Sequence, residues 1–355
     1  MHLSTSRRSR QPFRLDRVSL ELYSQTAQLI LNSNAGEGQL ISGGNDAGKV
    51  AVLRGAERED IIDAVSWVQL LISGIAAGSV YALVGLGFTT IYQTSRVVNF
   101  AQGSFVMLSA VFAYSFISSW GLPFWAAALL SIGGVVVVSL LMYRLVIAPL
   151  LSVSLVGMVM VTIGLSLFFE NVTLLKWGGY NVPIPPFTGS HPILVRGVAI
   201  SPQVLWVVGL TALVVTALYL LNNRTRVGKR MRATASSPFA AGLVGISPQK
   251  MVFFAFAISA AIGGLGGLAI GSIAPVGFAA GGVYSLKGFV AAIFGGWGST
   301  GGAVVGGFAI GIIESLSIGF LPSGYKDAVS FVVLLLVLYV RPQGLLRTPL
   351  MEGRA

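Results

Sequence analysis

Residues 251–273 read MVFFAFAISAAIGGLGGLAIGSI, an apolar run that holds no charged side chain. A helix crosses the roughly 30 Å hydrocarbon core of a bilayer in about 20 apolar residues, so this run is long enough to span a membrane. Long uninterrupted runs do not alternate as barrel strands do, and open sheet edges cannot be satisfied in lipid. We therefore predict an all-α, polytopic integral membrane bundle of about 8–9 transmembrane helices. The other candidate spans are 68–92, 97–118, 122–147, 155–175, 204–221, 283–296, 303–320 and 328–340.

The composition is typical of a membrane protein. Of the 355 residues, 54% are hydrophobic and 10% are charged, and the mean hydropathy is +0.82. Soluble domains are roughly one quarter charged. The formal charge of +11 comes from cations that stand singly between apolar runs, unlike a nucleic-acid surface, so we expect no nucleic-acid partner. With no cysteine and two histidines, the chain cannot build a thiol site or a multi-histidine metal site.

Basic residues predict the orientation of the spans. The stretch 222–250 contains six Lys and Arg residues and no acid, and such loops stay in the cytoplasm. The tail 348–355 follows Arg341 and should also be cytoplasmic. Because four candidate spans separate the two, the short window 283–296 must cross, or nearly cross, and return through the glycine-rich turn 295–302. A broken helix is expected there.

Two interruptions in opposite halves of the chain, 96–104 and 287–302, predict a substrate path. Paired broken helices commonly line the path of a transporter, because they expose backbone groups that cargo can satisfy. Helix capping is the structural alternative for Asn99 and Gln102, and close helix packing is the alternative for the glycines. The candidate path residues at the two breaks are Asn99, Gln102, Gly103, Gly295, Gly296 and Gly298.

Glu170 and Glu314 are the acids that fall inside candidate spans. An ionisable residue in hydrocarbon is costly unless it is paired or faces water, so each is expected to line the path or to anchor a helix. The sequence offers no paired carboxylates or nucleophile constellation for catalysis, and we do not expect an enzyme. Expected anchoring partners are Asn171 and Lys176 for Glu170, and Ser315 or Ser317 for Glu314.

The first 64 residues differ from the rest of the chain. Their basic and acidic residues balance, and they contain neither a spanning run nor the order of a signal peptide. We predict a poorly ordered extension over 1–64. The stretch GGNDAGKV, 43–50, follows most of a phosphate-loop pattern, but Val50 stands where Ser or Thr should hold magnesium. We therefore do not expect nucleotide binding there.

Several motifs resemble the branched-chain amino acid ABC transporter permeases of the LivH type. The stretches YALVGLGFTTIY (81–92) and VNFAQG (98–103) resemble the first half of that family, and KGFVAAIFGGWGS (287–299) resembles its second half. The stretch RVGKRMRA (226–233), followed by AAGLVGI (240–246), resembles the family's ATPase-docking loop. This is the same loop that the distribution of charge predicts to be cytoplasmic.

The resemblance covers 65–347 and implies a transmembrane permease domain in a bacterial plasma (inner) membrane, with 222–250 as the docking loop. The implied complex has a second permease subunit, two cytoplasmic ABC ATPase subunits, and a periplasmic or lipid-anchored binding protein that delivers a small-molecule substrate. This chain would contact membrane lipid, hydrolyse nothing and bind no cofactor, since the ATPases use the ATP and magnesium. The implied docking residues are Gly228, Arg232, Ala233, Ala241 and Gly245.

Two departures from the family leave the substrate open. Gln102 stands where the family usually has His, and Glu170 where a Gln is common. A permease for urea or short-chain amides fits the same motifs, and Glu170 and Glu314 leave open an ion-coupled secondary transporter, which needs midplane acids. Residues 1–64 have no counterpart in the family, so we expect an over-extended gene model with initiation near Val65.

Overall fold

A computed structural model describes most of the chain. Two units are distinguished, Met1–Ile61 and Ile62–Ala355. Within the first, the described backbone is helical from Asn45 onward. The predicted poorly ordered extension, 1–64, lies outside the described residues over 1–44. The described backbone covers 45–151, 154–189, 191–195, 198–341 and 343–346, and side chains are described, with few exceptions, from Ser66 onward.

The described residues form eleven α-helices, which confirms the prediction of an all-α membrane bundle. The helices are α1 (Asn45–Ser95), α2 (Gln102–Ser118), α3 (Phe124–Met142), α4 (Leu155–Trp177), α5 (Pro202–Arg224), α6 (Arg226–Ser236), α7 (Pro238–Leu243), α8 (Pro248–Gly271), α9 (Ala280–Gly295), α10 (Thr300–Ser317) and α11 (Lys326–Val340). A π-helical turn, Tyr143–Ile147, and a 3-10 turn, Ala148–Leu150, extend α3, and another 3-10 turn, Ser323–Tyr325, precedes α11.

Six of the described helices contain a stretch that is long and apolar enough to cross a membrane. The shorter apolar helices α2 and α9, together with α11, bring the candidate crossings to the predicted eight or nine. The 16 residues of α9 reach about 24 Å, short of a hydrocarbon core of about 30 Å. The segment predicted to cross is therefore a short helix that ends at Gly295, where the glycine-rich turn begins, and its crossing stays a prediction. The six long stretches are Ser66–Ser95, Phe124–Leu150, Leu155–Trp177, Pro202–Arg224, Pro248–Gly271 and Thr300–Ser317.

Side-chain caps fix where several helices begin. The Ser201 hydroxyl accepts the Gln203 N–H ahead of α5, and the Ser299 hydroxyl accepts the Gly302 N–H ahead of α10. Each cap satisfies one of the free amides of a first helical turn. Proline occupies the first position of α5, α7 and α8, where its missing N–H costs nothing.

Close packing of small residues builds the core around α1 and α8. About two thirds of the α1 span is buried (67%), as is 61% of α8, whereas α4 and α5 are only 17% and 22% buried. A Cβ on Gly267 of α8 would collide with the Val106 carbonyl of α2, and one on Gly307 of α10 with the backbone of Ala82 in α1. Small residues permit this approach in lipid. α4 and α5 therefore form an outer surface in the described structure.

One short hairpin interrupts the helical pattern between α4 and α5. Strands β1 (Ile193–Val195) and β2 (Val198–Ile200) pair antiparallel, with Ile193 opposite Ile200. The all-α prediction did not include it. β-branched residues at alternating positions of both strands favour extended backbone.

Candidate functional site

The first break separates α1 from α2. Arg96 ends α1 with φ at 58°, a left-handed conformation that is costly for a residue with a Cβ. Asn99 is fully buried, and its Oδ1 accepts the Ala101 N–H at 3.2 Å, as a capping side chain does. Its Nδ2 is buried without a hydrogen-bond partner. Asn99 therefore holds an unused donor inside the break.

Gln102 begins α2 and ties it to α8. Its Nε2 donates to the Ser259 carbonyl at 3.1 Å, and its Oε1 lies 2.6 Å from the Ser259 hydroxyl. A Cβ on Gly87 would collide with the Gln102 amide, so α1 also closes on this side chain. Gln102 is fully buried and both ends of its amide are occupied. In the described conformation, the Gln102 amide therefore joins α2 to α8 instead of capping a helix.

Gly103 is the point where α9 crosses the start of α2. Its N–H donates to the Ser285 hydroxyl at 2.8 Å, and that hydroxyl donates to the Phe100 carbonyl at 2.6 Å. A Cβ on Gly103 would collide with the Gly281 carbonyl. Glycine is required at this position because the two backbones touch. The first break is therefore held directly by α9.

Glu170 of α4 binds the first turn of the same helix. Its Oε1 accepts the Gly282 N–H at 2.6 Å, so a carboxylate lies at the positive end of α9. The predicted neutralising partners are wrong. Asn171 donates to the Leu167 carbonyl, and the Lys176 ammonium lies over the Trp177 ring at 4.8 Å from its centroid. The partner of Glu170 is instead the N-terminus of α9, which is distant in sequence.

The second break is closed by protein contacts. A Cβ on Gly295 would collide with the Gly302 carbonyl, and Gly296 and Gly298 have φ values of 116° and 80° that other residues rarely adopt. The amides of Leu345 and Leu346 donate to the last carbonyls of α9, at 2.9 Å each.

The Gly298 carbonyl accepts from Gln93 Nε2 at 2.7 Å. The backbone groups at the second break that we predicted to bind substrate are therefore hydrogen-bonded within the protein in this conformation. The assignment of Gly295, Gly296 and Gly298 to a substrate path stays a prediction.

Glu314 belongs to a buried ion cluster, defined by Tyr81, Lys287, Glu314, Asp327 and Ser330. The Lys287 ammonium lies 2.6 Å from Glu314 Oε2 and 2.8 Å from Asp327 Oδ1. Tyr81 donates to Glu314 Oε1 at 3.2 Å, and Ser330 donates to its Oε2 at 3.0 Å. The cluster joins α1, α9, α10 and α11.

The serines predicted as partners of the Glu314 carboxylate are elsewhere. Ser315 donates to the Leu70 carbonyl at 2.6 Å, and Ser317 donates to the backbone carbonyl of Glu314 at 2.7 Å. The cation that sequence reasoning missed is Lys287, which is buried within an apolar helix. An opposite charge inside another span was the available signal, because buried charges are paired.

Five aromatic rings bridge the two breaks. We call Phe88, Tyr92, Phe100, Phe289 and Trp297 the aromatic cluster. Ring centroids are 4.9 Å apart for Tyr92 and Trp297, 4.9 Å for Phe100 and Phe289, and 5.9 Å for Phe88 and Phe100. Such spacings are those of favourable ring pairs. Sequence reasoning missed this cluster, although Phe100 and Trp297 each lie inside a break.

The predicted docking loop is a helical hairpin, α6 and α7. Gly228 packs against the end of α5, where a Cβ would collide with the Leu221 carbonyl. Arg232 donates to the Asn222 carbonyl and to Asn223 Oδ1. These two residues hold the hairpin on α5.

At the tip of the hairpin, Ala241 is buried and Gly245 has φ at 79°. The prominent exposed residues here are apolar: Phe239 is 78% exposed, Leu243 75% and Val244 74%. They were absent from the predicted docking residues, although bulky apolar residues in a basic loop were a readable signal. Ala233, which was also predicted, is half-buried on α6.

Three of the predicted path residues bind α9, whereas Gln102 binds α8. Glu170 accepts an N–H of its first turn, Gly103 donates to Ser285, and Glu314 pairs with Lys287, two residues further along α9. The second break forms its end. Among the residues with described side chains, no group of His, Cys, Asp and Glu could hold a metal ion.

The long apolar helices, with the break that follows α9, define a polytopic helical membrane protein. The chain belongs to the branched-chain amino acid transport system permease component family, whose model matches residues 70–338. It is a multi-pass inner-membrane protein.

Curated relatives agree with this assignment. The chain is 32% identical to the high-affinity branched-chain amino acid transport system permease protein LivH of Salmonella typhimurium and to LivH of Escherichia coli K12, in each case over 81% of this chain and 97% of the relative. It is 31% identical to the corresponding protein BraD of Pseudomonas aeruginosa, also over 81% of this chain and 97% of the relative. No solved structure gives a significant match to the chain.

Proposed function

We propose that this chain is a transmembrane subunit of an ABC importer that carries branched-chain amino acids across the bacterial plasma membrane. One observation carries the proposal: relatives named as branched-chain amino acid permeases match it over 97% of their length. The matched family segment, 70–338, contains both breaks, the ion cluster and the α6–α7 hairpin. The chain itself is a permease and binds no cofactor, and ATP with magnesium is used by partner ATPases.

The α6–α7 hairpin and the C-terminus lie in the cytoplasm in this proposal. The basic, acid-free stretch 222–250 supports that side, since short loops rich in Lys and Arg stay inside. The same orientation fixes which face of the membrane each end of α1, α3, α5 and α8 reaches. α4 and α5 are then joined on the outer face through the β hairpin.

The tip of α7 docks on an ATPase subunit. Phe239, Leu243 and Val244 form an exposed apolar patch outside the candidate spans, and such patches mark interaction sites. Basic residues flank the patch on α6. A compact apolar centre with a polar rim is the usual anatomy of a protein interface. Two ATPases and a second permease subunit complete the transporter, and a periplasmic or lipid-anchored binding protein delivers the substrate.

The substrate path runs beside α9, between the two breaks. Asn99 supports this location because its Nδ2 is a buried donor without a partner. Such a group costs free energy in the closed protein and is satisfied when a carboxylate or carbonyl passes. The aromatic cluster next to it offers apolar surface suited to a branched aliphatic side chain. Opening of the breaks by the ATPases then alternates access.

Reconstitution tests the proposed function. The chain is placed in proteoliposomes with the permease, ATPase and binding proteins encoded beside its gene, and uptake of leucine, isoleucine and valine is measured with ATP inside or outside the vesicles. We expect uptake only with ATP on the side of the α6–α7 hairpin. A matched sample with ATP and an inactivated ATPase provides the baseline.

Two outcomes contradict the proposal. Uptake of urea or acetamide without uptake of leucine would show that the chain is a permease for urea or short-chain amides. Leucine uptake driven by a sodium or proton gradient, with no ATPase present, would make it a secondary transporter.

A further inference from the structure

A cavity of about 400 Å³ lies where three candidate spans end. Its lining includes Gln93 near the end of α1, Asn222 near the end of α5 and Thr300 at the start of α10, together with Arg232 of α6. Ends of spans mark the boundary between hydrocarbon and headgroups. The cavity therefore opens at the membrane surface that carries the α6–α7 hairpin. A volume of this size suits a small ligand or part of a larger one.

The wall of the cavity changes from apolar to polar along α5. Val215 and Tyr219 line its deeper part, and Asn222 and Asn223 line the part nearer the end of the helix. Val215 and Asn223 are separated by about 12 Å along the axis at 1.5 Å per residue. Tyr219 is exposed on an outer helix, so this wall is open to lipid. The cavity thus has the polarity profile of a phospholipid, with acyl chain below and headgroup above.

Charge at the polar end favours an anion. Arg232 lines the cavity, and none of the lining residues is an acid. Arg232 donates to the neutral Asn222 carbonyl and Asn223 side chain, which orient the guanidinium and leave its charge unpaired by a carboxylate. Among the described side chains, the ion pairs are those of Lys287, in a different cluster.

Two further donors converge on the same end. The Thr300 hydroxyl accepts from Gln93 Nε2 at 3.3 Å, which leaves its own proton free to donate. Gly301 lines the cavity in the first turn of α10, where backbone amides lack intrahelical acceptors. A Cβ on Gly301 would meet nothing within 4 Å, so the space beside this turn is open.

We propose that this cavity binds the phosphate of an acidic phospholipid through Arg232 and the start of α10, with its acyl chain along Val215 and Tyr219. Basic pockets between spans on the cytoplasmic side bind such headgroups, and acidic lipids attract basic juxtamembrane segments. The leaflet follows from the orientation given under the proposed function, whereas the site does not depend on it. Because the lipid touches α6 and α10 together, it couples membrane composition to the hairpin and the second break.

Lipid binding by the full chain, purified in a neutral detergent, tests the proposal without any transport assay. Native mass spectrometry and thermal unfolding are compared for phosphatidylglycerol, for phosphatidylcholine of the same acyl chains, and for inorganic phosphate alone. We expect one retained phosphatidylglycerol and a raised Tm, a weaker effect of phosphatidylcholine, and no effect of inorganic phosphate. If the chain does not bind phosphatidylglycerol, the proposed lipid site fails, but the transport proposal is still tested separately by leucine uptake.

Two variants locate the site. Arg232→Gln should weaken phosphatidylglycerol binding about tenfold, as expected for loss of a charge-assisted hydrogen bond. Gly301→Phe fills the cavity without changing charge and should abolish retention even if Arg232→Gln folds poorly. Arg230→Gln is the matched control, because Arg230 lies exposed on the same helix and does not line the cavity. It should bind as the parent chain does.

Three results would overturn the proposal. Equal losses in Arg230→Gln and Arg232→Gln would mean diffuse surface attraction. Equal retention of phosphatidylcholine would remove the role of the acidic phosphate. A Tm increase from inorganic phosphate that Gly301→Phe abolishes would assign the cavity to a soluble anion instead of a lipid.

Discussion

Lys287 lies between two carboxylates in the interior of the bundle. Glu314 is almost fully buried with it, whereas the Asp327 side chain is 53% exposed. Removing one partner of a buried pair leaves an uncompensated charge, which costs more than the pair contributes when intact. Lys287 and Glu314 therefore fix how α9 meets α10, and Asp327 adds a weaker contact from α11.

Lys287→Met should lower the stability of the purified permease by about 3–5 kcal/mol, because Glu314 is left buried and unpaired. Asp327→Asn is the matched control and should cost less than about 1 kcal/mol, since its pair is half in solvent. The Tm in detergent measures both. Equal Tm values for the two variants would contradict the assigned difference in burial.

Asn99 has two separable roles, and two substitutions distinguish them. Asn99→Leu removes both the cap on the Ala101 N–H and the free Nδ2 donor, whereas Asn99→Ser keeps a capping oxygen without the amide donor. We expect both variants to reach the membrane in normal amounts and to lower uptake several-fold. If Asn99→Ser transports normally while Asn99→Leu does not, the side chain is a cap and the path lies elsewhere.

At the scale of elements, α9 connects the candidate sites. It is too short to cross as an ordinary span, and three successive contacts lie along its first half: Glu170 at Gly282, Gly103 at Ser285, and the ion cluster at Lys287. Its end carries the second break and the aromatic cluster. A displacement of α9 would therefore change both breaks together, which suits an element that opens a path.

Phe239→Ser should weaken ATPase binding, because the exposed ring is the largest apolar group at the tip of α7. Phe320→Ser is a matched control. Phe320 is 77% exposed, close to the 78% of Phe239, but it follows the C-terminal end of α10 and does not belong to the α6–α7 hairpin. Co-purification of ATPase subunits from membranes is the measurement. We expect an about tenfold loss for Phe239→Ser alone. Equal recovery of ATPase with both variants would exclude the α7 tip as the docking surface.

The starts of α5 and α10 carry a signal in the sequence, since Ser201 and Ser299 cap the helices that follow them. The basic loop could be read from charge alone. The partners of the acids could not be read, because Glu170 binds an amide 112 residues away and Glu314 a lysine 27 residues away. Such pairs follow from the packing of α4, α9 and α10, which no local pattern specifies. Asn171 and Ser315 are adjacent in sequence to these acids, but their side chains donate to backbone carbonyls instead.

For the whole molecule, the proposed orientation makes opposite ends of the bundle distinguishable. The chain has no cysteine, so single cysteines can be introduced without a background. Phe239→Cys and Tyr180→Cys are both at highly exposed positions, in the α6–α7 hairpin and in the loop after α4. A membrane-impermeant maleimide added to intact cells should label Tyr180→Cys, and should label Phe239→Cys only after the membrane is opened. Labelling of Phe239→Cys in intact cells would invert the topology.

The contact between the last described residues and the end of α9 bears on how the protein is made. The amides of Leu345 and Leu346 satisfy carbonyls at the second break, and Gly344 packs directly on Gly296. These residues are synthesised after every described helix, so the turn between α9 and α10 stays incomplete until they have been made. A chain cut before Leu345 would keep every described helix and leave the last two carbonyls of α9 without the Leu345 and Leu346 amides. Premature termination would thus yield a target for quality-control proteolysis instead of a shorter working transporter.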